Sequence, residues 1–435
     1  MPRPMSWGRL PHGAQQVVGL SSRFEPLPAA ESMLPYGNGR SYGDVCLNDD
    51  GSLLATRRLD RFIAFDPASG VFECEAGVLF SEIIELVLPC GWFPPVTPGT
   101  SLLTLGGAIA NDVHGKNHHR LGSFGNHLIE FELLRSSGEI LLCSPQQNAG
   151  WFAATVGGMG LTGLIRRAKI QLRRVPGPWI RGDSLRFSGL GEFFALSRES
   201  DQDYEYTVSW IDCTASGARR GRGIFMRGNH APASGRPPPA SALRMPLTPP
   251  ISLVNSPSLN AFNRLYFHRP AAQARDALWH YRPFFYPLDG IGNWNRMYGP
   301  GGFFQYQCVV PQSDAEAALN EMLTRIGRSG MGSFLAVLKT FGHLPSLGMM
   351  SFPRPGATLA LDFPNGGAAT LSLLESLDEI TRSAGGAVYP AKDARMSAAS
   401  FQQYFPAWRR FGEYVDPRFS SSFWRRVTKE PGNSI

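Results

Sequence analysis

The feature that most constrains this chain is a set of three glycine-rich segments. The first runs Tyr-Gly-Asn-Gly-Arg-Ser-Tyr-Gly-Asp from Tyr36 to Asp44. Several glycines in so short a stretch let backbone amides approach a ligand closely, and successive free amides form a concave anion-binding site. Arg40 and Ser41 add hydrogen-bond donors that suit phosphate. A tight structural turn is the alternative, but a turn needs only one or two glycines. The pattern therefore favours binding of a pyrophosphate.

The second segment combines Pro98-Gly-Thr-Ser101 with a polar stretch at 105–125. That stretch contains His114, His118 and His119, and histidines four residues apart share a helix face, as some metal sites require. The glycine that follows His114 disfavours a helix, and no Glu stands where a zinc-protease motif needs one. The sequence therefore predicts no metal and favours a polar loop that wraps an extended ligand.

The third segment, Gly157–Gly163, matches G-x-G-x-x-G literally at Gly158, Gly160 and Gly163. A dinucleotide fingerprint requires a strand before the glycines and a helix after them. Here an apparent helix at Trp151–Val156 precedes them and a strand follows. We therefore reject a Rossmann nicotinamide site, and a third glycine loop against a bound cofactor remains possible.

The length of 435 residues fits two or three domains. Neither a signal peptide nor an apolar stretch of membrane-spanning length is visible, which predicts a protein that is cytoplasmic or peripheral to the inner membrane. Six cysteines without zinc-site spacing suit a reducing compartment. The formal charge is +7, without a long Lys/Arg run, which argues against nucleic acid. Two interpretations of this charge stay open, a solvated basic surface and a face that attracts an anionic substrate or lipid head group.

Hydrophobic periodicity and turn signals predict short alternating elements. The predicted strands are Val71–Glu75, His127–Leu134, Glu139–Cys143, Leu164–Leu172, Ser333–Phe341 and Leu359–Phe363, and the predicted helices are Ser81–Leu88, Ser313–Arg328 and Ala368–Ser383. The Pro/Gly-rich stretch 217–257 is predicted to be a flexible loop, either a mobile surface loop or an apolar lid over a substrate.

The chain resembles the vanillyl-alcohol oxidase / p-cresol methylhydroxylase (PCMH-type) flavoprotein family. Its FAD-binding domain is matched by Arg40–Asp44, Gly106–Ala108, His114–His119 and Gly122–Asn126. Members that oxidise a polyprenyl-phosphate-linked ribose are the closer likeness. They are matched, in the same order, by Trp294–Gly299, Gly302–Gln307, Ser333–Gly342, Asp362–Pro364 and Tyr389–Arg395.

This resemblance implies an α+β fold of two domains. Residues 1–176 plus 387–435 are expected to form a discontinuous PCMH-type FAD-binding domain. Residues 177–386 are expected to form an inserted substrate-binding domain built on an antiparallel sheet, with the 217–257 loop at the site.

The resemblance also implies FAD as cofactor. Many relatives tether FAD through a histidine in the first glycine loop, where this chain has Arg40, so we predict non-covalent FAD. The residue matching His114 lies beside the flavin in the closer members, so covalent attachment of FAD through His114 stays an alternative. The residues expected to bind the cofactor are Tyr36, Gly37, Asn38, Gly39, Arg40, Ser41, Tyr42, Gly43, Pro98, Gly99, Thr100, Gly106, Gly107, Ala108, Asn111, His114, Gly115, Asn117, His118, Gly122, Ser123, Gly160, Thr162, Gly163, Ile165, Tyr389 and Lys392.

The implied reaction oxidises the 2′-hydroxyl of the lipid-linked ribose to a 2′-keto sugar, the first half of an epimerisation to the arabinose donor for cell-envelope glycans. The expected catalytic residues are Lys392, Tyr389 and His114, with Lys392 stabilising the reduced flavin or helping to remove the hydroxyl proton. The expected substrate-side residues are Lys116, Gln305, Gln307 and Lys339. Ala360 stands where mycobacterial members carry a cysteine, which affects thiol-directed inhibition and not hydride chemistry.

Two other functions stay open at this stage. One is the same flavin chemistry on a free sugar, alditol or sugar lactone, and the other is an FAD-free binding module that keeps the fold. The resemblance further implies a separate NAD(P)H-dependent keto-reductase as partner and a peripheral membrane contact.

Overall fold

The computed structural model of this chain describes residues 4–232, 235–239 and 243–429. The strands in chain order are β1 (Gln16–Gly19), β2 (Met33–Tyr36), β3 (Ser52–Ala55), β4 (Phe62–Asp66), β5 (Val71–Glu75), β6 (Trp92–Phe93), β7 (Leu128–Leu134), β8 (Ile140–Cys143), β9 (Leu164–Gln171), β10 (Arg173–Arg174), β11 (Trp179–Phe187), β12 (Tyr206–Ile211), β13 (Gly223–Ala231), β14 (Ala274–His280), β15 (Phe303–Val310), β16 (Val337–Phe341), β17 (Gly356–Pro364) and β18 (Ala387–Val388).

The α-helices lie between and upon these strands, so the fold class is α+β, as predicted. They are α1 (Phe80–Val87), α2 (Leu105–Ala110), α3 (His118–Leu121), α4 (Ala149–Thr155), α5 (Leu190–Ser200), α6 (Ser256–His268), α7 (Tyr281–Phe285), α8 (Ala315–Ser329), α9 (Ala368–Ser383), α10 (Ala398–Tyr404), α11 (Trp408–Gly412) and α12 (Ser422–Thr428). Over the described ranges, no helix is long and apolar enough to cross a bilayer.

Two sheets carry the glycine-rich segments. A small parallel sheet has the order β1-β3-β2, and the first glycine segment begins where β2 ends, at Tyr36. An antiparallel sheet has the order β4-β5-β9-β7-β8, in which β7 and β8 form the predicted hairpin. Its strands alternate between buried and half-exposed residues, as β9 shows, because one face packs against α1 and α2.

A larger antiparallel sheet has the order β14-β11-β13-β12-β16-β17-β15-β18. The amphipathic helices α8 and α9 cover one face of it, burying leucines and isoleucines spaced three and four residues apart. The predicted bounds of α9 are confirmed. This sheet runs from Trp179 to Val388, so its last strand lies within the segment that we assigned to the other domain. The division of the chain at 176 and 387 stays a prediction.

The register of the larger sheet brings polar side chains together on its other face. Gln305 of β15 lies opposite Asp362 of β17, and Gln307 lies opposite Ala360. Lys339 of β16 lies opposite Thr358. Because side chains two residues apart share a face, this pairing gives the sheet one polar patch that points away from α8 and α9.

The prediction of a loop over 217–257 is wrong in its first half. Residues Gly223–Ala231 form β13 in the interior of the larger sheet, between β11 and β12. Gly223 and Gly228 are not loop glycines: a Cβ at Gly223 would lie 2.3 Å from the carbonyl oxygen of Trp210 on the neighbouring strand. Residues 233–234 and 240–242 of this stretch lie outside the described residues.

The predicted strand Ser333–Phe341 is also shorter than expected. Ordered pairing begins at Val337, since Ser333 instead hydrogen-bonds across to the backbone of Asp362 and to Cys213. The apolar run Phe334–Ala336 misled the sequence interpretation because buried apolar residues occur in coil as well as in strands.

Candidate active site

A cavity of about 390 Å³ lies between the glycine-rich segments and the polar face of the larger sheet. Its walls come from all three glycine segments, from β12, β15, β16 and β17, and from the turn at Tyr389–Lys392. Residues that are far apart in the sequence therefore meet around one cleft, which is where binding sites usually form.

The first glycine segment is held in place by contacts that only glycine permits. Gly39 has a φ of +59°, and a Cβ there would lie 2.3 Å from the hydroxyl of Tyr36. A Cβ at Gly43 would lie 1.6 Å from the carbonyl oxygen of Asp393. The amide of Tyr42 donates to the carbonyl of Ala391 at 2.9 Å. These contacts attach the segment directly to the turn that carries Lys392.

Arg40 extends from this segment along the cavity wall. Its guanidinium lies 4.1 Å from the centre of the Trp7 ring, and its Nε has no hydrogen-bond partner within the described chain. Burial lowers the pKa of Arg40, and the nearby Asp289 opposes that shift. An unpartnered guanidinium donor in a cleft suits an anionic ligand such as a pyrophosphate.

The second glycine segment is fixed by Asp289 from the other side of the cavity. The carboxylate of Asp289 accepts hydrogen bonds from the hydroxyl of Thr100 at 2.6 Å and from the amide of Ser101 at 2.7 Å. A Cβ placed on the neighbouring Gly99 would have no atom of the described residues within 4 Å apart from its chain neighbours, so this backbone is open to the cavity. This arrangement gives an extended ligand access to main-chain amides.

Lys392 and Asp362 line the same cavity, near enough for the charge of each to affect the pKa of the other. The Nζ of Lys392 lies 3.8 Å from the centre of the Tyr42 ring, and within the described residues it has no hydrogen-bond acceptor. Asp362 is 0% exposed. Its Oδ1 accepts from Gln305 at 2.6 Å, and its Oδ2 has no partner among the described atoms.

Burial shifts the pKa values of Asp362 and Lys392 toward each other. Burial raises the pKa of Asp362 to about 7, and the hydrogen bond from Gln305 and the charge of Lys392 oppose this shift. Burial lowers the pKa of Lys392 to about 7, which the charge of Asp362 opposes and that of Lys339 reinforces. Because each group influences the other, the pair can exchange protons with a ligand near neutral pH.

His114 and Tyr389 lie beside this pair, with ring centroids 5.4 Å apart. The side-chain amide of Gln307 donates to Nε2 of His114 at 2.9 Å, which places the imidazole proton on Nδ1. Burial lowers the pKa of His114 well below its usual value, so the ring stays neutral. Tyr389 donates its hydroxyl to the carbonyl of Asn111 at 2.7 Å, and burial raises its pKa. Both side chains are therefore neutral near pH 7, and their predicted catalytic roles stay predictions.

Two further lysines, Lys116 and Lys339, line the cavity. Lys116 donates to the carbonyl of Phe284, and its Nζ lies 4.5 Å from the centre of that ring. Burial lowers the pKa of Lys116 to about 7, with a smaller effect from the charge of Lys339. Burial also lowers the pKa of Lys339 to about 8. An anion entering the cavity would restore the protonation of these amines, so the site favours anionic ligands.

The end of the cavity near β12 is apolar. Trp210 and Tyr266 form this wall with ring centroids 4.9 Å apart, and Leu335, Val337 and Met226 complete it.

Most of the residues predicted for the site line this one cavity. Eight do not, because they are engaged elsewhere: Thr162 is hydrogen-bonded to Thr155, and Ala108 lies on the buried face of α2, in the core. The remaining 23 are Gly37, Asn38, Gly39, Arg40, Ser41, Tyr42, Pro98, Gly99, Thr100, Gly106, Gly107, Asn111, His114, Gly115, Lys116, Gly160, Gly163, Ile165, Gln305, Gln307, Lys339, Tyr389 and Lys392. The eight that lie outside its wall are Tyr36, Gly43, Ala108, Asn117, His118, Gly122, Ser123 and Thr162.

Sequence reasoning missed Asp362, Asp289, Trp210 and Tyr266 as wall residues. One signal was available for Asp362: it is the single charged residue within the apolar run Leu359–Phe363. A lone carboxylate in a buried strand is costly unless it has a function or a partner. The other three gave no local signal, since only the folded chain brings them to the cavity.

Comparison with known proteins agrees with this geometry. The model of the FAD binding domain family matches residues 29–144. The chain is 34% identical to decaprenylphosphoryl-beta-D-ribose oxidase of Mycolicibacterium smegmatis, over 98% of this chain and 97% of that protein. It is 32% identical to an uncharacterised protein of Streptomyces coelicolor, over 80% of this chain and all of that protein. Cytokinin dehydrogenase 8 of Oryza sativa subsp. indica is 28% identical over 38% of this chain and 33% of its own length.

The glycine-lined cavity, the unpartnered Arg40 and the FAD binding domain define an FAD-dependent oxidoreductase, and the alternative of an FAD-free binding module is set aside. Similarity along the whole chain is more specific than this class. The chain belongs to the decaprenylphosphoryl-β-D-ribose oxidase family.

Proposed function

We propose that this enzyme oxidises the 2′-hydroxyl of a polyprenyl-phosphate-linked ribose to a 2′-keto sugar. The observation that carries the proposal is the composition of the cavity: a Lys392–Asp362 pair, two further lysines on its walls and an apolar end. Such a site suits a ligand with a hydroxyl to deprotonate, a phosphate to bind and a hydrocarbon chain. The similarity to the M. smegmatis decaprenylphosphoryl-beta-D-ribose oxidase, whose name identifies a lipid-linked ribose, points the same way.

FAD, when bound, supplies the acceptor for a hydride. Oxidation of an alcohol breaks one C–H and one O–H bond; the hydrogen on carbon leaves with its electron pair to the cofactor, and the hydroxyl proton needs a base. We assign this base to Lys392. Its pKa of about 7 keeps a large fraction of neutral amine at physiological pH, whereas an ordinary lysine is almost wholly protonated. The carboxylate of Asp362 stabilises the resulting ammonium.

We assign the phosphate to Lys116 and Lys339, and the start of the hydrocarbon chain to Trp210 and Tyr266. Lysine binds phosphate as a compact charge, and a phosphate within reach would keep both amines protonated despite their burial. The same proposal includes two further points. The 23 predicted residues at the cavity wall contact FAD or the substrate, and the chain divides into a cofactor domain and a substrate domain. Non-covalent FAD follows from Arg40 at the usual tether position.

The 2′-keto product implies a second enzyme. To complete an epimerisation, a hydride must return to the opposite face of C2′, and we assign that step to a separate NAD(P)H-dependent keto-reductase. A polyprenyl substrate resides in lipid, so the enzyme works in peripheral contact with a membrane.

Anaerobic stopped-flow measurement of flavin absorbance tests the proposal. The holoenzyme is mixed in turn with a short-chain polyprenyl-phosphoryl ribose, with free ribose, and with an alditol and a sugar lactone. We expect bleaching by the phosphoryl ribose alone. Bleaching by the alditol or lactone, with none from the phosphoryl ribose, would support the alternative of a free-sugar oxidoreductase.

A further inference from the structure

The positive charge of this chain is concentrated in one segment. Residues 213–275 contain nine arginines and no Asp, Glu or Lys. The rest of the chain has 33 Lys and Arg against 35 Asp and Glu. The formal charge of +7 therefore originates in a single stretch, part of which folds as β13 and α6.

Internal carboxylates neutralise only some of these arginines. Arg222 pairs with Asp212, and Arg227 pairs with Asp183. By contrast, Arg244 and Arg264 are exposed, and within the described chain no carboxylate lies at ion-pair distance from either. Their charge is therefore directed to the solvent.

The same segment exposes large apolar side chains. Leu247, Ile251 and Leu265 are 76%, 71% and 74% exposed, above any large apolar residue that the structure describes outside this segment. Leu253 and Phe262 are partly exposed nearby. Single exposed leucines are common on protein surfaces, but several within twenty residues, with an exposed arginine near each end of the stretch, are typical of a surface that meets lipid.

The exposed segment is continuous with the cavity. Helix α6 presents Leu265 to solvent, while Tyr266, the next residue, lines the cavity beside Trp210. Phe262 stacks on Tyr266 with ring centroids 5.4 Å apart, and it is 36% exposed. The Trp210–Tyr266–Phe262 row is therefore an aromatic path from the cavity to the surface of α6.

We propose that residues 244–265 form a docking surface for an anionic lipid bilayer. Leu247, Ile251 and Leu265 enter the interface, and Arg244 and Arg264 bind the head groups. The route of the substrate rests on the proposed function: the Trp210–Tyr266–Phe262 row admits the polyprenyl chain from the bilayer to the cavity without passage through water. The charge favours a bilayer over a protein partner, since uniform positive charge without carboxylates complements a uniformly anionic surface.

Flotation of the holoenzyme with vesicles tests this surface. The vesicles are pure phosphatidylcholine, or phosphatidylcholine with one third phosphatidylglycerol. We expect flotation with the anionic vesicles and loss of flotation at high salt. Each exposed arginine contributes about fivefold to vesicle affinity, so Arg244→Gln/Arg264→Gln should weaken binding more than about tenfold. Leu247→Glu/Leu265→Glu should abolish it.

The matched control is Ile140→Glu, which places the same charge at a 53% exposed position on the β7–β8 hairpin. Thermal melting confirms that each variant folds. Equal loss of flotation by the control, or a wild-type protein that stays with the soluble fraction, would overturn the proposal. Self-association that the leucine variant abolishes, without vesicle binding, would instead assign the surface to a second copy and overturn it too.

The result is independent of the reaction, because flotation requires no substrate. An enzyme that floats but does not oxidise the phosphoryl ribose contradicts only the proposed function. One that oxidises a water-soluble short-chain substrate but does not float contradicts only the docking surface. The docking variants should keep wild-type turnover of that soluble substrate.

Discussion

Replacement of Lys392 by methionine should abolish the reaction and stabilise the fold at the same time. Burial lowers the pKa of this lysine from 10.5 to about 7. Each pKa unit corresponds to about 1.36 kcal/mol, so keeping the group in the cavity costs the folded state about 4 kcal/mol at pH 7. Methionine has a similar length and no charge, and it removes most of this cost. The part of the free-energy cost that remains in the variant comes from the buried carboxylate of Asp362, which no longer has the charge of Lys392 nearby.

The dependence on pH follows from proton binding. Between pH 7 and pH 10.5 the unfolded chain holds a proton on Lys392 that the folded chain has released, so wild-type stability should rise with pH across this window. The advantage of Lys392→Met is therefore full below pH 7 and disappears near pH 10.5. Urea denaturation of the cofactor-free chain at pH 7 and pH 10 measures the difference.

Activity and cofactor content complete this test. We expect Lys392→Met to retain FAD through gel filtration and to show no flavin reduction by the phosphoryl ribose in the anaerobic assay. The control is Lys169→Met, which removes a partly exposed lysine that pairs with Glu130 at 2.8 Å. It should lose at most about 1 kcal/mol of stability and keep full reduction. The reasoning would be refuted if the flavin of Lys392→Met were reduced at the wild-type rate, or if the variant were clearly less stable than the wild type at pH 7.

Three other predictions concern the same cavity. Asp362→Asn removes the charge that raises the pKa of Lys392, so the acid limb of the pH profile of flavin reduction should move to lower pH; an unmoved limb would contradict a functional pair. Gly43→Ala would place a Cβ 1.6 Å from the carbonyl oxygen of Asp393 and should cost FAD binding and several degrees of melting temperature, whereas Gly99→Ala, with no atom within 4 Å, should fold normally. Acid precipitation should leave the flavin in the supernatant, and a yellow pellet would mean covalent attachment.

The sequence was informative wherever local pattern decides structure. Helix α9 has the predicted bounds because its apolar spacing is regular and Gly385 follows its end in a left-handed conformation. The β7–β8 hairpin is similarly marked by its turn at Gly138. Local pattern failed for β13, because two glycines and an arginine within nine residues resemble a loop. In the fold, the glycines accommodate neighbouring backbone, and Arg227 reaches the carboxylate of Asp183.

The candidate site divides in the same way. Glycine loops are local, so the sequence alone pointed to many of the residues that line the cavity. The Lys392–Asp362 pair is not local, since it depends on the register of β15 against β17 and on the turn after β18. No property of residue 362 alone indicates that a lysine thirty residues later will lie near it. Long-range register is the information that a single sequence does not display.

The C-terminal tail holds the first glycine segment and the Lys392 turn in fixed positions relative to each other. Arg426 of α12 pairs with Asp44, at the end of the first glycine segment, at 2.7 Å. It also pairs with Asp393, the neighbour of Lys392, at 3.1 Å. One guanidinium thus joins the first glycine segment to the turn that carries Lys392. Since both carboxylates are largely buried, losing the arginine would leave two unpaired charges, and both walls of the cavity would shift together.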